Sequence, residues 1–400
     1  MTPFFQASPQ SNVNNRKNNI GLTLFGIKYN FFRNDKYLLI FGIIQEISYK
    51  IFIGKMKIYN LIQIYLLLFL LFSILLPQSL SAAVILMYHR FGETSFPATN
   101  IRIDQFESHI KELKENNFNV LPLSNILSAI KNKEKLPEKT VAITIDDGYK
   151  SVYSVAFPYL KKENFPFTVF ISTAAIDKNY KSHMTWDDIR DLASHGVEIG
   201  AHTDTHLHMV DHNDDVLTQE IKKSNKRFQE ELGFIPEIFA YHYGEASLRV
   251  KEIVKKHGGY KFAFAQHSGV IGNDPDLLFL HRFALNENFG HLARFQKIVN
   301  ALPLEIEDIL PKDHVTNKNP PSLGFTVVDK NINIEKVECF PSGNLELEMK
   351  RISDKRIEVR FNKPFPRGRT RINCTAPGKD KKWHWTGFMF YTKKEGQASQ

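Results

Sequence analysis

The chain has 400 residues, 42% of them hydrophobic and 24% charged, which excludes a largely disordered protein and allows one large domain with a smaller companion. Its two cysteines exclude a disulfide-dense scaffold and a four-thiolate zinc site, so any metal must rest on carboxylates and the fifteen histidines. The net charge of +9 is concentrated at the start, where residues 1–83 hold eight Lys or Arg against Asp35 and Glu46; the remaining 44 basic and 41 acidic residues form no basic stripe, and no nucleic-acid partner is expected.

Residues 1–55 are Asn-rich and precede a second good start, so they read as a spurious or disordered extension, with Met1 or Met56 the true beginning. From Met56 a basic start, an apolar run over 61–76, Pro77 and small residues through Ala83 make 56–83 a signal peptide, cut near Ala82 or Ala83. The same run is long enough for an uncleaved membrane anchor. Either way the protein is expected to be exported: periplasmic, extracellular or tethered to the outer face of the inner membrane. An oxidising compartment permits Cys339 and Cys374 to pair, two free thiols being the alternative.

Beyond the leader, strands alternate with helices. Strands are expected at 84–88, 120–121, 140–145, 167–172, 197–200, 238–241, 261–265 and 279–283. Helices fall between them: 104–117, capped by Asp104, then one from Ser124, 151–163, one capped by Thr185 and ended by Gly196, 214–232, and 247–257. About seven βα units point to a barrel, where chemistry sits at the C-terminal strand ends. The prolines of 303–322 read as a linker, and 323–400 alternates polar and apolar residues as a small all-β module. Its Trp383 and Trp385 fit cross-strand packing or sugar stacking.

Three strand ends carry chemistry. The strand 140–145 runs into Asp146-Asp147-Gly148; adjacent carboxylates on an extended chain face opposite ways, so one can hold a metal while the other meets substrate, though an Asp-Gly turn alone is common. His202 and His206 follow strand 197–200 and are four apart, so both imidazoles can face one cation; with a carboxylate they make an open divalent site, zinc first, cobalt or nickel next. After strand 238–241, Tyr243 precedes Gly244, where a backbone N–H can hold a developing oxyanion.

Over about residues 84–300 the chain resembles the polysaccharide deacetylases of carbohydrate esterase family 4, the NodB-homology family. Thr144-Ile145-Asp146-Asp147-Gly148-Tyr149 is similar to the first family motif and His202-Thr203-Asp204-Thr205-His206 to the second. The resemblance implies a distorted (β/α)7 barrel, a divalent metal on Asp147, His202 and His206, and Asp146 as general base for hydrolysis of N-acetyl groups on a polysaccharide by metal-activated water. The third motif departs, since Tyr241-His242-Tyr243 has neither the Arg nor the Pro of Arg-x-Pro-Tyr, which leaves the base without its orienting group. Tyr88-His89 resembles the biofilm-adhesin exopolysaccharide deacetylases and ranks His89 as general acid above His267 or His281. An O-acetyl esterase, or a carbohydrate-binding protein on a decayed barrel, are the competing readings.

Overall fold

The computed structural model describes residues 19–24, 27–32, 37–52, 64–68, 82–316 and 318–393. Two compact units divide the chain, Met1–Gln78 and Ser79–Gln400. In the first, strands Asn19–Leu24 and Ile27–Phe32 pair antiparallel and a helix spans Tyr37–Phe52. Within 1–55 the described residues thus hold two paired strands and a helix. Most of the leader read at 56–83 lies outside the described residues, among which no helix is long and apolar enough to cross a membrane.

In the second unit seven strands form one parallel sheet: β1 (Ala83–Tyr88), β2 (Thr140–Ile145), β3 (Phe167–Ile171), β4 (Glu198–Ala201), β5 (Ile238–Ala240), β6 (Phe262–Phe264) and β7 (Phe283–Ala284), in the order β6-β5-β4-β3-β2-β1-β7. The segment entering β7 lies parallel to β6, with the Ala265 N–H on Leu280 O at 3.0 Å and the Leu280 N–H on Ala263 O at 2.9 Å. The sheet therefore curls into the expected distorted (β/α)7 barrel. Asn119–Val120 adds only a short edge to β2.

Strand alternation sorts the core. Val141, Ile143 and Ile145 of β2 face outward, clustered with Phe106, Ile110 and Leu113 of helix α1 (Ile103–Glu115). Ala142 faces inward with Ile85, Phe170, Ala240 and Phe264, and Leu123, Ile126, Leu127 and Ile130 of α2 (Leu123–Asn132) join that inner cluster. Gly200 is required here because a Cβ would overlap the Phe170 ring.

One local expectation is corrected and another is refined. Asp104 lies inside the first turn of α1 and pairs with Arg102, while Gln105 reaches back to the Arg102 N–H at 3.3 Å, so the helix begins two residues earlier than an Asp104 cap implies. The helix expected over 151–163 is present, with a π-helical turn, Val152–Ala156, running into α3 (Phe157–Lys162). Helices α4 (Thr173–Asp177), α5 (Trp186–Ser194), α6 (Asp214–Leu232), α7 (Leu248–Gly258) and α8 (Leu292–Val299) complete the shell. The Thr185 cap on α5 and the left-handed Gly233 after α6 are as read from the sequence.

The prolines of 303–322 do not mark a free linker. Pro303 lies in β8 (Leu302–Pro303), and β9 (Ile306–Leu310) belongs to a sandwich with β10 (Leu323–Val327), β11 (Glu338–Pro341), β12 (Leu347–Arg351), β13 (Arg356–Phe361), β14 (Gly368–Pro377) and β15 (Trp383–Thr392). Its sheets run β8-β15-β14-β11 and β9-β10-β13-β12. Leu304, Ile306 and Ile309 all pack on the sandwich core, a register shift between Glu307 and Leu310 breaking the strict alternation. Cys339 and Cys374 sit opposite each other on β11 and β14 and form a disulfide. Trp385 packs edge-on against Phe283 of β7 at 5.2 Å between ring centroids, so its ring is spent on the barrel, whereas Trp383 is 47% exposed.

Candidate active site

The alternation that fills the barrel also delivers its polar side chains. Continuing the inward parity one step past each strand brings His89 from β1, Asp146 from β2, His202 from β4 and His242 from β5 to the C-terminal mouth.

The adjacent carboxylates then part. Asp146 is fully buried and accepts from both prongs of Arg282, Nη1 to Oδ1 at 2.6 Å and Nη2 to Oδ2 at 2.7 Å. Arg282 is itself fixed, donating from Nε to Ala265 O at 3.0 Å and from Nη1 to Thr144 Oγ1 at 3.2 Å. His89 Nε2 stands 4.0 Å from Asp146 Oδ2. Asp147 has φ +74° and Gly148 φ +73°, a turn that carries the second carboxylate to the histidines. Its Oδ1 lies 3.1 Å from His206 Nε2 and 3.3 Å from His202 Nε2.

Burial pushes both carboxyls up, and their partners overcome it. Arg282, with His202 and His89, brings Asp146 below the usual carboxylate range, and the His202 and His206 imidazoles hold Asp147 well below it. Burial lowers His89, against the opposing pull of Asp147 and Asp146. For His206 burial is outweighed by Asp147, and its pKa is raised. His206 is exposed over 32% of its side chain while Asp146 and His202 are closed to solvent, so access is from the His206 side.

His202 donates from Nδ1 to Ala240 O at 2.6 Å, which leaves the Nε2 lone pair free, and that atom has no hydrogen-bond partner. His242 Nδ1 is likewise buried and unpartnered. His202, His206 and His242 each bring one nitrogen within 4.8 Å of the others. Lone pairs gathered beside a carboxylate fit a divalent d-block ion. The residues read from the sequence as ligands, Asp147, His202 and His206, are brought together.

Tyr243 reaches the edge of this cluster, its ring 4.8 Å edge-on from His206 and stacked on His208 at 4.1 Å. It has φ +55°, and Asp147, Thr203 and His206 also have positive φ, so each loop that brings these residues to the site carries strained backbone. Arg369 of β14 donates from Nη1 to Tyr243 O at 3.2 Å, which ties the sandwich to this loop.

The alternative acids lie elsewhere. His267 and His281 line a cavity of about 390 Å³ with His314, Phe279 and Gly387, and none of the mouth residues borders it. The reason is their place in the chain: they flank the segment that runs along β6 into β7, facing the sandwich.

Two residues escaped the sequence reading. Arg282 supplies from the approach to β7 the guanidinium that the third motif lacks, and its signal was a lone Arg within the apolar run 279–285. The signal for His242 was its place two residues after Ala240, which with Ile238 faces inward in the structure.

Residues 133–262 match a family model described as polysaccharide deacetylase. Over 212 residues the chain is 30% identical to YxkH of Bacillus subtilis, assigned as a polysaccharide deacetylase, covering 52% of this chain and 73% of that protein. It is 25% identical over 242 residues to the poly-beta-1,6-N-acetyl-D-glucosamine N-deacetylase of Staphylococcus aureus, covering 54% of this chain and 82% of that one. The solved structure of Streptococcus pyogenes deacetylase PplD in complex with acetate shares the fold, with a TM-score of 0.51 at 24% identity over 55% of this chain and 99% of that one.

Proposed function

The chain belongs to the polysaccharide deacetylase family, and from that premise we propose that it hydrolyses N-acetyl groups on an exported polysaccharide, using a divalent ion held by Asp147, His202 and His206. The observation that carries the reading is the division of labour between neighbouring carboxylates, Asp146 on a guanidinium and Asp147 on two imidazoles. When bound, the ion lowers the pKa of water and polarises the acyl oxygen. Zinc suits the donors best, with cobalt or nickel also accommodated.

Asp146, held ionised and aimed by Arg282, takes the proton from the attacking water. His89, 4.0 Å from Asp146, donates a proton to the departing amine, without which an amide nitrogen leaves poorly. The Tyr243 backbone N–H, fixed by its left-handed turn, meets the oxyanion. Arg282 also removes the motive for reading the barrel as decayed, because the base keeps its orienting partner from another strand.

Action outside the cytoplasm is supported by the leader at 56–83 and by the Cys339–Cys374 disulfide. Ala83 is already hydrogen-bonded with Ile271, its N–H on Ile271 O at 3.1 Å, which favours cleavage before it over cleavage after it. We read 84–302 as the catalytic domain and 323–400 as a module built onto it.

The named substrate of the Staphylococcus aureus relative makes poly-beta-1,6-N-acetyl-D-glucosamine the first polymer to try. Incubation of the zinc-loaded protein with that polymer should expose free amines. Release of acetate only from O-acetylated xylan contradicts the N-acetyl assignment.

A further inference from the structure

Asp147, His202 and His206 leave one imidazole of the cluster without a task. His242 is fully buried, its ring centroid 3.9 Å from that of His202 and 4.0 Å from that of His206. Its Nε2 lies 2.6 Å from Thr203 Oγ1, and its Nδ1 has no hydrogen-bond partner.

A buried structural histidine in this protein has a different environment. His109 is also closed to solvent, but its Nδ1 meets the Tyr88 hydroxyl at 3.1 Å and its Nε2 meets Gly290 O at 2.8 Å. For His242 the tautomer with a proton on Nδ1 would bury an N–H with no acceptor, a costly arrangement. The other tautomer donates from Nε2 to Thr203 and leaves the Nδ1 lone pair bare. The backbone holds that orientation: Tyr243 and Gly244 have φ +55° and +74°, and a Cβ on Gly244 would collide with the Gln266 backbone nitrogen.

We infer that His242 is a third imidazole ligand of the divalent ion, binding through Nδ1, with Thr203 as the hydrogen-bond partner that orients it. The inference rests on the metal-dependent reading above and extends it. One nitrogen from each of His202, His206 and His242 lies within 4.8 Å of the others, and Asp147 Oδ1 touches two of these residues. Three imidazoles and one carboxylate favour zinc, nickel, cobalt or copper over magnesium, manganese or calcium. The second ligand of such a pair is usually oriented by a hydrogen bond on its other ring nitrogen, which Ala240 O provides for His202 and Thr203 for His242.

X-ray absorption fine structure of the zinc-loaded full chain counts imidazoles directly. Three are predicted; two overturn the inference and leave Asp147, His202 and His206 standing. Chelator competition gives the second reading. His242→Ala should weaken zinc on the order of 100-fold and Thr203→Val roughly tenfold, in line with losses from altered ligand support. A folded His242→Ala protein with wild-type zinc affinity contradicts the assignment, provided His206→Ala loses the ion in the same assay. A wild-type chain that binds neither zinc, cobalt nor nickel overturns the metal-dependent reading and this inference together.

Discussion

Two groups of three histidines lie in the same unit, and they differ in what surrounds them. At the barrel mouth one nitrogen from each of His202, His206 and His242 lies within 4.8 Å of the others, and Asp147 meets the first two; a bare buried nitrogen is found in both groups, at His202 and His242 here and at His267 Nδ1 at the seam. At the seam with the sandwich, the His267 and His281 rings meet at 4.3 Å, His314 packs on Phe279 at 4.8 Å, and His281 bonds to Gly387 O at 3.3 Å. Among the described residues no seam histidine pairs with a carboxylate as His206 does with Asp147, although Asp274, Asp276 and Glu305 line the same cavity; Asp276 is paired with Lys251. An abundance of histidine therefore does not locate chemistry. What separates the groups is the carboxylate, and the strand parity that aims the mouth residues at one point.

The largest expected effect falls at the mouth. Asp146→Asn should lower turnover by about 10³-fold, within the usual range for loss of a general base, while metal analysis shows the ion retained. His89→Gln should cost about 100-fold. Equal substitutions at the seam, His267→Gln and His281→Gln, should leave acetate release within about twofold of wild type; a loss there as deep as that of His89→Gln would break the comparison.

Arg282→Lys sharpens it from another side. Lysine keeps the charge and loses the two-pronged grip on Asp146, so kcat should fall about tenfold with KM unchanged. A change confined to KM would place Arg282 in substrate binding instead.

The seam should answer to pH. Burial pushes His281 and His314 down to about 4 from an ordinary 6.5, and burial with the His281 charge takes His267 well below its usual value. These groups are neutral in the fold and bind protons more weakly than in the unfolded chain. Stability is therefore complete above about pH 6.5 and lost as pH falls toward 4, by about 1.4 kcal/mol per pH unit for each group. Urea unfolding across that window should give a shallower slope in His281→Gln. The disulfide is the smallest lever on chemistry: reduction of Cys339–Cys374, which spans 35 residues, should cost about 3 kcal/mol of stability and leave zinc affinity unchanged.

Much of this was legible in the sequence for a physical reason. The barrel strands announce themselves because both faces are buried, giving apolar runs such as 140–145, and the carboxylates and paired histidines directly follow two of them. Arg282 was not legible, because its partner Asp146 is 136 positions away and only closure of the barrel brings them together. His242 was hidden by a loop whose third-motif pattern is broken, although Ile238 and Ala240 set its direction. The strand at 306–310 was masked by prolines on both sides, which are tolerated because Pro303 lies in the two-residue edge strand β8 and Pro311 follows the strand's end.

The account is tested most directly by acetate release from N-acetylglucosamine oligomers, using the full chain stripped of metal and then reloaded with zinc, cobalt or nickel, beside Asp146→Asn. Release should appear only in the loaded wild type and fall by about 10³-fold in a variant that still binds the ion. Release that survives stripping, or that Asp146→Asn sustains at the wild-type rate, would contradict it.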